Sequence, residues 1–190
     1  MSLKLKLILV AVSLIMVTVA VAGFLGYRES KWKIKDLARQ LVVAKTEEAF
    51  VLCEHHYKYS PEPTDELKQE IAAMQIAKDG YISVLSNEDG PNKGVLVVHP
   101  SDVGLALYND DFPHIKRLLD EIDAQGKVHG YSNFTYYRQH TEAKGRQGEK
   151  KVGYFKYFAP WHWVILSTGY EKDVFSSRDQ LRKTLVQVAL

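Results

Sequence analysis

Hydrophobic and polar positions fall into three regimes along this chain. From Leu7 to Tyr27 no residue is charged across 21 positions. At ~1.5 Å per helical residue that run reaches about 31 Å, enough to cross a hydrocarbon core. From Arg28 to about Tyr59 the apolar residues become periodic and no Pro or Gly interrupts them. Ile34, Leu37, Leu41 and Ala44 step by 3, 4 and 3, the a/d spacing of a coiled-coil seam. Val42, Val43, Ala49, Phe50 and Val51 widen the apolar face later, which predicts packing on a folded domain. Ser60-Pro61-Glu62-Pro63 then stops the helix.

Beyond that stop the pattern predicts a small α/β region. Thr64 caps a second helix running to about Lys78, with Asp65 and Glu66 in its first turn and Leu67, Ile71 and Met74 inward. Tyr81 to Leu85 and Gly94 to Val98 read as strands joined by Asn87-Glu88-Asp89-Gly90. Asp110 to Gln125 reads as a helix with Pro113 near its first turn and Gly126 past its end. Tyr131 to Arg138, Val152 to Phe158 and Trp163 to Thr168 read as strands. Thr141 to Glu149 forms a charged loop, and the last two strands turn at Ala159-Pro160. The residues from Glu171 start a final helix, apolar at its end. Short turns favour an antiparallel sheet of about five strands with helices on one face. The fold class is α+β.

Composition narrows the function. Hydrophobic content of 46% and charged content of 25% describe a globular chain. Of 25 basic residues only Lys4 and Lys6 precede the apolar run, while all 23 acidic residues follow it, so the domain is close to neutral. That excludes the basic footprint of a nucleic-acid binder. A single cysteine, Cys53, excludes an intrachain disulfide. No nucleophile elbow, dinucleotide fingerprint, phosphate loop or zinc-protease helix is present, so nothing points to an enzyme or a cofactor. Cys53 and His56 share a helix face, but a third metal ligand at helical spacing is missing.

The N-terminus has two readings. Its length suits an uncleaved anchor, whereas Ala20-Val21-Ala22 matches a small-residue cleavage site that would release a periplasmic binding protein. In the anchored reading, residues 1–6 lie in the cytoplasm and 7–27 span the membrane. Residues 28–60 form a membrane-proximal helix, 61–175 the domain, and 176–190 a helix leading toward a second membrane segment. The long helix either pairs with its copy in a parallel homodimer or serves as an ordinary core helix.

The second half carries a recognisable order of motifs. Gly80-Tyr81-Ile82 opens a strand. Val97-Val98-His99-Pro100 follows, then a helix, then Lys151-Val152-Gly153-Tyr154-Phe155-Lys156-Tyr157-Phe158. Pro160-Trp161-His162-Trp163-Val164-Ile165 and Thr168-Gly169-Tyr170 close it. This order resembles the single Cache domain, the extracytoplasmic sensor of bacterial chemoreceptors, histidine kinases and related transducers. The resemblance covers about residues 28 to 175. It implies a PAS-like sheet in the periplasm of an inner-membrane protein, holding a short organic acid such as acetate, propionate, pyruvate or lactate. One departure stands out. Many members carry Arg five positions before the Gly-Tyr, where this chain has Gln75, which donates a hydrogen bond but has no charge.

A small-ligand pocket needs apolar walls and a few converging polar groups. The candidates are Gln75, Tyr81, His99, Phe134, Tyr136, Lys151 and Tyr154. Tyr81, Tyr136 and Tyr154 fall on separate strands and either line one sheet face or belong to the core. Lys151 matches the lysine that opens the family's penultimate strand. It either neutralises a ligand carboxylate or sits in solvent beside Lys150. His99 either donates to the ligand or holds a strand end. For Lys151 and Tyr154 to share one anion, the strand must start irregularly, because positions three apart otherwise face opposite sides.

Overall fold

The computed structural model describes residues 2–136 and 149–170; the expected strand end at residues 137–138, the charged loop up to residue 148 and the C-terminal helix lie outside them. The order is α1 (Leu3–Tyr57), α2 (Asp65–Ala73), β1 (Gln75–Ile76), β2 (Gly80–Ser86), β3 (Leu96–Val98), α3 (Pro113–Gln125), β4 (His129–Tyr136), β5 (Glu149–Phe158) and β6 (Trp163–Tyr170). Two compact units divide the chain, Met1–Asp36 and Leu37–Leu190. In the first, Lys6–Ser30 is long and apolar enough to cross a membrane, with a mean hydropathy of 2.8 and none of it buried.

The second unit is built on a six-stranded antiparallel sheet, ordered β1-β2-β6-β5-β4 with β3 on β2. The sixth strand, β1, was not expected. Residues read as the end of α2 form instead a tight hairpin with β2, turned through Ala77 in the left-handed region at φ 51°. Helix α2 stops at Ala73, where the Met74 N–H returns to the Ile71 carbonyl. Its start is as read: Thr64 accepts from the Leu67 N–H.

Helices cover both faces of the sheet, not one. The pleat sends alternate residues to opposite sides. Ile82, Val84, Val152, Phe158, Trp163 and Ile165 pack with Val42, Ala49 and Cys53 of α1 and Leu67 and Ile71 of α2. Leu85, Phe155, Val164 and Leu166 pack with Ile115, Leu118, Leu119 and Ile122 of α3. The central strand β6 is consequently buried at every residue. Pro113 inside the start of α3 and Gly126 at φ 62° past its end place that helix as the sequence pattern requires.

Helix α1 shows which of its residues the domain uses. Ala38, Val42, Thr46, Ala49 and Cys53 are buried. Of the heptad positions Leu37 is 51% exposed and Ala44 exposed, while Leu41 packs partly against the core; Val51, read as facing the domain, is instead 57% exposed. Trp161 ends a 3-10 turn, Ala159–Trp161, His162 follows in the left-handed region, and Trp163 opens β6. The two indole rings lie 4.9 Å apart, and the Trp161 indole N–H donates to the Pro61 carbonyl at 2.7 Å.

Gly80 marks the tightest point of the sheet. A Cβ there would lie 2.5 Å from the Ile76 carbonyl oxygen and 2.6 Å from that of Thr168, both main-chain atoms that cannot step aside. Gly80→Ala is expected to cost ~1–3 kcal/mol, as overpacking of a rigid site does. Urea denaturation followed by circular dichroism measures it, and an unchanged midpoint would show that the β1–β2 hairpin yields.

Candidate ligand-binding site

On the α3 face of the sheet three strands bring polar side chains together. The register pairs Tyr81 of β2 with Thr168 of β6, and Thr168 with Gly153 of β5. Two residues along, Tyr170 pairs with Lys151. Directly opposite residues of an antiparallel pair share a face, so Tyr81, Thr168, Tyr170, Gly153 and Lys151 form one surface.

Lys151 is the centre of this surface. Its side chain belongs to the core rather than to solvent, with 4% of the residue exposed. The ammonium donates to the Tyr81 hydroxyl at 3.3 Å and lies 4.8 Å and 4.6 Å from the ring centroids of Tyr81 and Tyr170. Aromatic faces stabilise a cation that has left water. Of the two readings of Lys151, the solvated one is thereby removed.

His99, at the end of β3, meets the Tyr81 ring edge-on with centroids 4.8 Å apart. Its Nδ1 accepts from the backbone N–H groups of Asp102 at 2.9 Å and Ser101 at 3.2 Å. An accepting Nδ1 places the proton of the neutral ring on Nε2. So His99 holds the loop after β3 and also walls the lysine site. Burial lowers its pKa from the ordinary value; nearby Asp102 opposes that shift and Lys151 adds to it. His114, in the first turn of α3, is lowered by burial first, then by Arg117 and Lys151. Both imidazoles therefore sense the Lys151 charge.

Beyond His114 a cavity of about 220 Å³ opens between α3, β4 and β5, bordered by Arg117, Leu118, Lys127, Ser132 and Phe155. Lys127 is paired with Glu121 at 2.6 Å.

The remaining candidates separate. Tyr154 lies on the opposite side of β5 from Lys151, because β5 pairs without a break from Lys151 to Lys156 on both neighbours. The irregular start that would bring the two together is absent from those residues. Tyr154 packs instead on the α1 side, its ring 5.1 Å from Tyr131 and its hydroxyl 3.3 Å from His129 Nδ1. Gln75 is exposed, and its amide donates to the Lys78 carbonyl at 2.7 Å, closing the β1–β2 turn. The backbone of Phe134 pairs with Lys151 and that of Tyr136 with Glu149. Cys53 is a core residue whose thiol burial pushes up to about 12.

Thr168 and Tyr170 of the surface, its Gly153, and His114 beside it were not among the candidates. The first two sit at alternate positions with Val164 and Leu166, so the period of β6 carried the signal. His114 had no signal beyond its place at a helix start.

A sheet with a long helix along one side and a polar cluster on the other is the architecture of PAS-like sensor domains. The model of the Cache 3/Cache 2 fusion domain family matches residues 58–184. The chain belongs to that family. Among solved structures, it is similar to a methyl-accepting chemotaxis protein from Vibrio parahaemolyticus, at 19% identity over 77% of this chain and 97% of that one, with a TM-score of 0.55. It is also similar to a Cache chemosensory domain that recognises carboxylic acids, at 16% identity over 75% and 97%, with a TM-score of 0.53. No curated protein matches it. The α+β fold and the Cache resemblance read from the sequence are thus borne out.

The two lowered histidines set a pH dependence. A depressed pKa means that the unfolded chain binds more protons than the folded one below 6.5, so stability falls as pH drops through that value. Between about pH 7.5 and 5.5 the chain is expected to lose more thermal stability than its His99→Gln, His114→Gln variant. Equal losses in scanning calorimetry would assign the pH effect to other groups.

Proposed function

We propose that the chain is the ligand-sensing part of a membrane-anchored signal transducer, with its domain on the extracytoplasmic side and a small carboxylic acid bound on the α3 face. The observation that carries this reading is the buried Lys151 ammonium held between two tyrosine rings. Keeping a cation out of water is costly, and an anion that arrives beside it recovers that cost. Tyr81 offers a hydroxyl to the same anion, and His99 and His114 stand beside it. The likeness to a Cache domain that recognises carboxylic acids supports the choice of ligand.

Strand β5 supplies the route outward. Lys151 faces the ligand side, whereas Lys156 of the same strand bonds Glu47 of α1 at 2.6 Å and lies 3.8 Å over the Phe50 ring. The Thr46 hydroxyl of α1 lies 3.1 Å from the Tyr154 carbonyl oxygen. A ligand that prefers one setting of β5 therefore biases the position of α1, to the extent of its differential affinity for the two settings. The apolar run Leu7–Tyr27 serves as the anchor.

The exposed stripe of Leu37, Ala44 and Val51, with half-buried Leu41, fits a parallel dimer of two such helices. Leu37→Asp with Leu41→Asp should abolish the dimer in analytical ultracentrifugation of the detergent-solubilised chain and leave ligand binding intact. A double variant that also unfolds would show that the stripe belongs to the core.

Lys151→Met keeps the stem and removes the charge. It should weaken binding of short carboxylates at least about tenfold, equivalent to about 1.4 kcal/mol. Calorimetric titration measures this, with thermal unfolding as the check on fold. An unchanged dissociation constant in a folded variant would overturn the assignment.

A further inference from the structure

The lysine surface holds one polar atom that the interactions above do not use. Thr168 is 4% exposed, and its Oγ1 is buried with no hydrogen-bond partner among the described residues. A buried hydroxyl without a partner forfeits the bonds it made to water, so such atoms are few in folded proteins.

Its position gives that atom a use. Thr168 lies between Tyr81 on β2 and Gly153 on β5, on the face that carries Lys151. Neighbouring strands are about 4.8 Å apart, so Thr168 sits one strand from the residues on either side of it. On the β5 side the neighbour is glycine, and the Leu166 side chain reaches to 3.4 Å from where its Cβ would stand. On the β2 side stands Tyr81, whose own hydroxyl meets the Lys151 ammonium at 3.3 Å. Thr168 is thus the cross-strand neighbour of the tyrosine whose hydroxyl meets the ammonium. Ser167 Oγ, one residue earlier, is also unpartnered, but it lies on the α1 side, between Ile82 and Tyr154, away from the ammonium.

We propose that Thr168 is a specificity-determining residue of this site, and that its hydroxyl selects small acids bearing an oxygen on the carbon next to the carboxylate. This inference rests on the reading of the α3 face as a carboxylate site. A threonine hydroxyl both donates and accepts, so it serves the carbonyl of a 2-oxo acid and the hydroxyl of a 2-hydroxy acid alike. An unsubstituted acid of the same length leaves the Thr168 hydroxyl unpaired. Sites built to hydrogen-bond a ligand oxygen reject the analogue that lacks it far more strongly than apolar pockets reject a missing methylene.

Calorimetric titration of the full chain in detergent with L-lactate, pyruvate and propionate tests this. Lactate or pyruvate should bind at least about tenfold tighter than propionate. Thr168→Val, which keeps the shape and removes the hydroxyl, should bring that acid down to the affinity of propionate and leave propionate itself unchanged. Thr168→Ser should retain the preference, and Ser167→Ala, on the other face, should not alter it. Should Thr168→Val fail to fold, Thr168→Cys, a much weaker donor and acceptor, takes its place. Equal binding of propionate and both oxygenated acids by the unmodified chain overturns the inference, as does a preference that survives Thr168→Val. If none of the three acids binds the folded chain, the carboxylate reading of the face itself fails, and the role of Thr168 falls with it.

Discussion

A strand that pairs in unbroken register on both edges has no freedom over where its side chains go, and β5 is such a strand. It is bonded without a bulge to β4 from Glu149 to Lys156 and to β6 from Lys151 to Phe158. Its odd-numbered residues therefore belong to the α3 side and its even-numbered residues to the α1 side. Phe155 anchors one core; Val152 and Phe158 anchor the other. The same alternation places Lys151 among tyrosines on one side and Lys156 against Glu47 on the other. The two lysines differ in consequence more than in chemistry, because one loses water entirely and the other forms a half-exposed ion pair with α1.

In the proposed function that constraint joins site and output: the anion would lie on one face of β5, and among the described residues α1, which continues into the apolar N-terminal run, packs on the other. Thr46, Glu47 and Phe50 touch β5 along one stretch of α1, beside the buried Val42 and Ala49. Interfaces packed this closely do not deform smoothly, so in the proposed function a small movement of β5 would be passed on as a shift of the helix.

Much of this was legible from residue order. The helix stop at Pro61 and Pro63, the cap at Thr64, the Pro113–Gly126 bracket of α3 and the strand periods all follow from local chemistry, and local chemistry is what a sequence states directly. The two-residue strand β1 was not legible, since Gln75 and Ile76 have no period and depend on Ala77 adopting a left-handed turn. Nor was the second covering helix. Whether α3 lies with α1 or across the sheet from it depends on burial of both sides of β6, which only the assembled fold decides.

Site residues divided along the same line. Tyr81, His99 and Lys151, where family motif and residue type agreed, do lie together on the α3 side of the sheet. Tyr154 was misplaced because its partnership with Lys151 required a break in β5 that the register rules out. Gln75, read as standing in place of a ligand-gripping arginine, spends its amide on the Lys78 carbonyl. Thr168 escaped notice because a threonine in a strand is ordinary until its hydroxyl is seen to be buried and unpartnered.

The central claim, that β5 joins an anion site to α1, is tested most directly by amide hydrogen exchange on the full chain with and without a bound carboxylic acid. Binding should change exchange along Lys151–Phe158 and also in α1 between Val42 and Cys53, on the opposite side of the sheet. A change confined to α3 and the loop after β3, with α1 unaltered at saturating ligand, would contradict it.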